Sequence, residues 1–157
     1  MHLRVIAVGT RMPAWVDAAF DDYARRLRGN WKIELKEIAP ASRRAAGGAN
    51  QTAVGREAKQ ILALLTARET VVPLDERGRE FSTLELAGWL DRQRAEAGSL
   101  AFIIGGPDGL SREVLERGHS TWSLSRLTLP HALARVLLVE QLYRVSAVLA
   151  GHPYHRA

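Results

Sequence analysis

The sequence predicts an α/β fold in which a mostly parallel sheet carries helices on both faces. Short runs rich in apolar and β-branched residues alternate along the chain with longer stretches whose apolar residues recur at helical spacing. The run LAFII, residues 100–104, is continuously apolar, as expected of a strand that is buried on both faces. Repeated strand–helix units of this kind favour parallel strands joined by helical crossovers.

The first half of the chain contains two strand–helix units. Residues 3–9, LRVIAVG, form the first predicted strand, and Pro13 suits the first turn of the helix that follows it. WKIELKEI, residues 31–38, alternates apolar and polar residues as a half-buried or edge strand does. APASRRAAGGAN, residues 39–50, is the loop-like segment that we expect to be mobile, and a second amphipathic helix follows it.

The second half continues the alternation. TVVPL, residues 70–74, is the third predicted strand, and the turn DERGRE closes it. Ser82 and Glu85 have the spacing of a capping box and open a helix that runs to about residue 97. After LAFII, Ser111 caps a short helix that stops near Gly118. STWSL, residues 120–124, is predicted as a last short strand, and residues 131–150 form a long helix. We expect residues 1–157 to form a single domain.

Composition limits the function classes. Lys and Arg outnumber Asp and Glu by 22 to 17, so the net charge is +5. That charge is compatible with an anionic partner such as nucleic acid, or with a modestly basic protein that has no such partner. The chain has no cysteine, which excludes disulfides, thiol catalysis and cysteine-ligated zinc. No signal peptide or membrane-spanning run is present, so we expect a soluble, cytoplasmic protein without a membrane partner.

Most catalytic signatures are missing. The stretch FIIGGPDGLS has the strand–loop–helix order of a phosphate cradle, but it lacks the Gly-Lys-Ser/Thr ending of a P-loop and is not Gly-x-Gly-x-x-Gly. There is no Gly-x-Ser-x-Gly elbow. His152 and His155 are separated by Pro153-Tyr154 and have no nearby carboxylate, so we expect no metal site.

Three predicted strand ends converge on one edge of the sheet. They are the end at Leu74-Asp75, the loop that begins Gly105-Gly106, and the segment SLSRLTLPH that leads into the last helix. Ligands bind at the carboxyl ends of parallel strands, so Asp75 is a candidate there, whereas Glu76 fits a solvated turn with Gly78. These segments carry few charges and favour a nucleoside-like ligand that is bound mainly through backbone groups. Taken singly, the glycines and prolines are equally well explained as turn formers.

These segments together resemble a known family. FIIGGPDGLS, WSLSRLTLPHALARVLLVEQLYR and the terminal GHPYHR are similar to the SPOUT methyltransferases, and specifically to the ribosomal RNA large subunit methyltransferase H family. The opening RVIAVGTRMPAWV and LDERG fit the same family, so the resemblance covers essentially the whole chain. The departures lie in residues 43–50.

The resemblance implies a fold and a cofactor. The fold is an α/β sheet with a C-terminal trefoil knot, which is an exception to the general absence of knots. The cofactor is S-adenosylmethionine, held in a bent conformation by a loop that contains Gly105. The residues implied to line its site are Leu74, Asp75, Gly105, Gly106, Ser125, Arg126, Leu127, Thr128, Leu129 and Pro130.

The resemblance also implies the reaction, methylation of N3 of a pseudouridine in 23S rRNA on the assembled ribosome. N3 is a poor nucleophile while it holds its proton, so the protein must help to remove that proton or stabilise the anion. The catalytic candidates are His131, at the start of the last helix, and the tail residues Tyr154, His155 and Arg156. Either histidine can take the proton, Tyr154 can stack on the base, and Arg156 can steady the anion or a phosphate.

The apolar pattern of the last helix predicts a partner subunit. It is apolar on more than one side, so we expect one side to face the core and the other to face a second copy of the chain in a homodimer. In such a dimer the tail is able to cross into the partner's site. Arg25, Arg26 and Arg28, together with Arg43-Arg44, are the candidates for contact with rRNA, although arginines at a helix C-terminus also suit the helix dipole.

Three alternatives remain open from the sequence. The nearest is a knotted methyltransferase that acts on tRNA or on a ribose 2′-oxygen. The second is a ribosome-binding protein without catalytic activity, which would have no need of a small-ligand pocket. The third is a hydrolase that uses Asp75 and a histidine, and its only support is the position of Asp75 at a strand end.

Overall fold

Successive side chains of the central strands face alternately toward two apolar cores, one on each face of the sheet. This alternation sets the architecture. The computed structural model describes residues 1–42, 49–96 and 98–152. In that part of the chain the elements follow the order β1 (His2–Val8), α1 (Ala14–Arg26), β2 (Lys32–Ile38), α2 (Ala49–Leu64), β3 (Thr70–Arg79), α3 (Thr83–Glu96), β4 (Ser99–Ile104), α4 (Arg112–Arg117) and α5 (His131–Leu149).

The four strands pair in the order β2-β1-β4-β3, and every pair is parallel. In β1, Leu3, Val5 and Ala7 face one core, which α1, α3 and α5 cover. Ile6 and Val8 face the other core, which α2 and α4 cover. The prediction of an α/β fold with a parallel sheet and helices on both faces is therefore confirmed. The predicted trefoil knot concerns the path of the chain beyond β4, which strand order does not test, and it stays a prediction.

Helix ends follow their local sequence signals. The Ser82 amide donates to the Glu85 carboxylate at 2.7 Å and the Glu85 amide donates to Ser82 Oγ at 3.3 Å, so the predicted capping box is confirmed. Ser111 Oγ accepts from the Val114 amide at the start of α4. At the end of α5, Gly151 takes φ +67° and the His152 amide donates to the Ala147 carbonyl, which is the Schellman arrangement.

Two predicted boundaries were wrong. The segment DERGRE does not close β3, because the strand continues to Arg79. The Arg79 amide donates to the Thr121 carbonyl at 2.9 Å, and the Ser123 amide donates to the Arg79 carbonyl at 2.9 Å. Gly78 makes this approach possible, since a Cβ there would lie 2.4 Å from the carbonyl carbon of Trp122. The predicted strand at residues 120–124 is reduced to isolated bridges that Trp122 makes with the extended β3.

The Trp122 side chain secures the segment that leads to α5. It is 2% exposed and packs against the rings of Phe81, Trp89 and Phe102 at centroid distances of 5.3, 4.8 and 5.2 Å. Aromatic clusters of this kind stabilise by burial and by ring–ring contact. Trp122 thus fixes the position from which residues 123–130 cross the carboxyl ends of β3 and β4.

Candidate active site

The principal cavity lies at the carboxyl ends of β3 and β4. Its volume is 970 Å³, which is within the usual range for small-molecule sites. One wall is the end of β3, a second is the glycine loop after β4, and a third is the segment between Trp122 and α5. The lining residues are Leu74, Asp75, Glu76, Arg77, Ile104, Gly105, Gly106, Pro107, Asp108, Gly109, Ser123, Leu124, Ser125, Leu127, Thr128, Leu129, Pro130, His131 and Ala134.

The loop after β4 folds back on itself as a tight turn. The Gly109 amide donates to the Gly106 carbonyl at 3.0 Å, and Gly109 takes φ +75°. A Cβ on Gly105 would lie 2.7 Å from the carbonyl carbon and oxygen of Gly109, so no side chain fits there. This close packing of backbone on backbone explains why glycine is needed at position 105.

The segment opposite the loop is held by its own hydroxyl groups. Ser123 Oγ donates to the Ser125 carbonyl at 2.8 Å, and Ser125 Oγ accepts from the Leu127 amide at 2.9 Å. Thr128 Oγ1 donates to Glu76 at 3.2 Å and so ties the segment to β3. Glu76 therefore lines the cavity; it is exposed, as the sequence favoured, but it lies in the extended β3 and not in a turn.

Asp75 is a structural carboxylate in this cavity. Arg77 donates to it from Nε at 2.9 Å, from Nη2 at 3.1 Å and from its amide at 2.9 Å. The Arg77 hydrogen bonds hold the pKa of Asp75 below its ordinary value of 3.8. A carboxylate that is bonded in this way is a weak base, which argues against the hydrolase alternative.

His131 begins α5 and lines the cavity. Burial lowers the pKa of its imidazole below the ordinary 6.5, and the positive charge of Arg135 one helical turn later lowers it further. The ring is therefore neutral near pH 7, with one nitrogen able to accept a proton or a hydrogen bond.

The structure brings most of the predicted site residues together. Every predicted cofactor-lining residue except Arg126 lines the cavity, and so does His131. The Arg126 side chain is 89% exposed and pairs through Nε with Glu80 at 3.0 Å, so it lies on the rim. Tyr154, His155 and Arg156 lie outside the described residues, as do Arg43 and Arg44.

The sequence analysis missed part of the wall. Asp108 and Gly109 belong to the same turn as the predicted glycines, and the turn pattern alone pointed to them. Ser123 and Leu124 belong to the segment SLSRLTLPH that the sequence placed at this edge of the sheet, but they were not among the predicted cofactor-lining residues. Within the described ranges, no group of three His, Asp or Glu side chains is placed to hold a metal ion, and no helix is long and apolar enough to cross a membrane.

Comparisons with known proteins agree with this geometry. A family model described as "Predicted SPOUT methyltransferase" matches residues 1–155. Proteins named ribosomal RNA large subunit methyltransferase H are similar over their full length: that of Thiobacillus denitrificans is 49% identical over 99% of both chains, and that of Bordetella avium is 48% identical over 100% of both. A crystal structure of a probable methyltransferase from Bordetella pertussis shares the fold, with TM-score 0.57, 21% identity and coverage of 92% of this chain and 93% of that one.

Proposed function

Since the chain belongs to the SPOUT methyltransferase family, we propose that it transfers a methyl group from S-adenosylmethionine to N3 of a pseudouridine in large-subunit (23S) ribosomal RNA on the assembled ribosome. The observation that carries this proposal is the cavity at the ends of β3 and β4, which is built from backbone-rich, mostly uncharged segments. The relatives are named for the substrate class, ribosomal RNA of the large subunit.

The cavity fits a nucleoside-bearing cofactor. The backbone turn at Gly105 and Gly106 has no room for an added Cβ at Gly105, and we propose that its peptide N–H and C=O groups bind a base or ribose. Leu74, Leu127 and Leu129 provide apolar contact for a flat ring. S-adenosylmethionine, when bound, supplies a methyl group on a sulfonium and with it the leaving group. The protein's own residues then have to position the acceptor nitrogen and manage its proton.

His131 is the proton acceptor that supports this reaction best. It lies on the cavity wall, and burial with the nearby Arg135 keeps its imidazole neutral by lowering its pKa. A neutral imidazole can take the N3 proton as the nitrogen becomes nucleophilic. His155 is the alternative base, and Tyr154 and Arg156 are proposed to stack on the target base and to stabilise negative charge.

We propose that the tail residues act in the cavity of a second copy of the chain. α5 begins at the cavity with His131 and continues for 19 residues, a length of about 28 Å. His152 lies at the far end, where its amide caps the helix. Four further residues to Arg156 span about 14 Å at most when fully extended, which is shorter than α5.

A homodimer built on α5 accounts for the tail and for the helix surface. Leu138, Val139 and Leu142 are buried in the chain's own core. Leu133 and Leu137 are only half-buried, and they form an apolar strip on the other side. Two α5 helices that pair antiparallel about a two-fold axis cover this strip and bring the end of one helix to the start of the other.

The proposed rRNA contacts suit the same dimer. Arg25, Arg26 and Arg28 lie at the end of α1, at the edge of the sheet opposite the cavity of their own chain. Arg26 pairs with Asp22 at 2.6 Å, whereas the Arg25 and Arg28 side chains have no ion pair among the described residues. Antiparallel pairing of α5 places this edge beside the partner's cavity. Contact with assembled ribosomes also agrees with the expected cytoplasmic location.

The deciding experiment is transfer of labelled methyl from S-adenosylmethionine to three substrates: intact ribosomes, deproteinised rRNA and tRNA. We expect label from intact ribosomes only, and mass spectrometry should identify it as N3-methylpseudouridine in the large-subunit RNA. Label on tRNA or on a ribose would contradict the proposed acceptor and favour the first alternative. Ribosome binding without any transfer or cofactor binding would favour the non-catalytic alternative.

A further inference from the structure

The turn after β1 has an unusual backbone. Gly9 takes φ +121°, and Arg11 takes φ +59°. Arg11 is the one non-glycine residue with a positive φ in the part of the chain that the structure describes. Left-handed backbone costs free energy for a residue with a Cβ, and such strain persists only where the surroundings impose it. Contacts around the turn must therefore hold it in this conformation.

A buried cation lies beneath the turn. Arg135 is fully buried, and its Nη2 donates to the Gly9 carbonyl at 2.6 Å, while its Nη1 contacts Glu37 Oε1 at 2.5 Å. The Gly9 amide donates to the Ile38 carbonyl at 2.8 Å, so both peptide groups of Gly9 are fixed. Arg135 Nε has no hydrogen-bond partner. A buried guanidinium with an unsatisfied donor is a poor source of stability, since apolar replacements are often neutral or better.

The turn adjoins the candidate active site. A Cβ built on Gly9 would lie 3.7 Å from Nε2 of His131, which is part of the cavity wall. The Cα of Arg11 is two peptide links further on and so lies within about 7.6 Å of the Gly9 Cα. Arg11 is exposed and makes no hydrogen bond or ion pair within the described ranges. Arg11 is thus an unpaired arginine on a turn that adjoins the cavity wall.

We propose that Arg11 binds a phosphate of the RNA strand next to the methylated nucleotide, and that Arg135 is the positioning residue that holds the turn from beneath. The proposal rests on the proposed function and adds a substrate contact from the chain's own β1 turn. A guanidinium pairs with a phosphate through two parallel hydrogen bonds, which fixes the direction of the strand as well as its position. The strained backbone is then the means by which the side chain is directed toward the substrate.

The test compares Arg11→Ala with a matched control, Arg68→Ala. Arg68 is also exposed and unpaired among the described residues, but it lies between α2 and β3 at the opposite edge of the sheet. We expect Arg11→Ala to raise KM for ribosomes by about tenfold or more and to lower the salt slope of log kcat/KM by about 1. Affinity for S-adenosylmethionine should not change. Equal KM values for the two variants would overturn the proposal.

Arg11→Gly separates substrate binding from folding. Glycine accepts the left-handed backbone without strain, so this variant should melt at a higher temperature than the wild type. It should still lose ribosome affinity to the same extent as Arg11→Ala. If the melting temperature and the ribosome affinity both fell, Arg11 would be a structural residue and the proposal would be wrong.

A double-mutant cycle tests the positioning role. Arg135→Met removes the hydrogen bonds to the turn, and we expect it to raise KM for ribosomes in the wild-type background but to have little further effect in Arg11→Ala. Glu37→Gln takes the place of Arg135→Met in the same cycle if the methionine variant does not fold. Fully additive effects would show that Arg135 does not act through Arg11.

The controls also separate this proposal from the function on which it rests. Wild-type protein that transfers no methyl group to any RNA would defeat the proposed function. Cosedimentation would still measure how much Arg11 contributes to ribosome affinity. If Arg11→Ala bound ribosomes as tightly as the wild type in this assay, the proposed phosphate contact would be wrong.

Discussion

At the residue scale, Gly105 is the residue on which the shape of the cavity depends most directly. Its Cα lies so close to the Gly109 backbone that even a methyl group would come within 2.7 Å of it. The neighbouring atoms are main-chain atoms, which cannot rotate away as a side chain can. Any substitution must therefore open the turn and displace the peptide groups that face the cavity.

We predict that Gly105→Ala weakens S-adenosylmethionine binding by about tenfold or more, equivalent to about 1.4 kcal/mol. The matched control is Gly55→Ala in α2, where an added Cβ meets no atom within 4 Å. The control should keep wild-type affinity and gain about 0.5–1 kcal/mol of stability, because alanine favours a helix. Isothermal titration calorimetry with the cofactor gives both affinities. Unchanged cofactor affinity in Gly105→Ala would show that the loop is not part of the cofactor site.

His131 gives a pH dependence with a defined sign. Its pKa in the folded protein is below 6.5, through burial and then through Arg135, so protonation is easier in the unfolded chain. As the pH falls below about 6.5, the unfolded state takes up the proton first and the free energy of unfolding decreases. Urea unfolding at several pH values should show this slope, and His131→Gln should reduce it. An unchanged slope in the variant would assign the effect to other groups.

At the scale of elements, the sequence correctly predicted those helix ends whose terminal hydrogen bonds are made by residues close by in the chain. The capping box at α3, the Ser111 cap of α4 and the glycine that ends α5 all have their partners within four or five residues. Such helix ends can be predicted from the sequence because the residues that form their hydrogen bonds are only a few positions apart. The extension of β3 was not visible, because its hydrogen-bond partners are Thr121 and Ser123, more than 40 residues away.

The capping box provides a stability prediction. Ser82→Ala removes the oxygen that accepts from the Glu85 amide, and we expect a loss of about 1 kcal/mol in the free energy of unfolding. Ser120→Ala is a suitable control, since within the described ranges that hydroxyl makes no hydrogen bond. Chemical denaturation measures both. A loss for Ser120→Ala that matches the loss for Ser82→Ala would show that the cap contributes nothing specific.

At the scale of the whole molecule, the length of α5 sets a wide separation between its two ends. It starts at the cavity and ends about 28 Å away, so His152 and the arginines at the end of α1 are remote from the cavity of their own chain. The sequence predicted the strands, the helices and most of the cavity wall, because glycine, proline and apolar runs have local signatures. It gave no sign that Arg135 is buried under the first turn, since an arginine within an apolar helix equally suits an exposed face.

We predict that deletion of residues 154–157 abolishes methyl transfer while S-adenosylmethionine binding is retained. Mixing this truncated chain with Gly105→Ala should restore part of the activity, because the mixed dimer combines an intact cavity from one chain with an intact tail from the other. Methyl transfer to ribosomes, measured after the two variants are unfolded and refolded together, tests this. Full activity of the truncated chain alone would show that the tail is dispensable.

The order of the elements along the chain has a consequence for synthesis. All four strands are complete at Ile104, but the wall at residues 123–131 and the core residues of α5 come from the last part of the chain. A nascent chain that emerges from its N-terminus can pair its strands before any cavity exists. A product that ends before His131 keeps the whole sheet and lacks one wall of the cavity. The capacity to bind the cofactor is therefore acquired only near the end of translation, and it distinguishes finished molecules from interrupted ones.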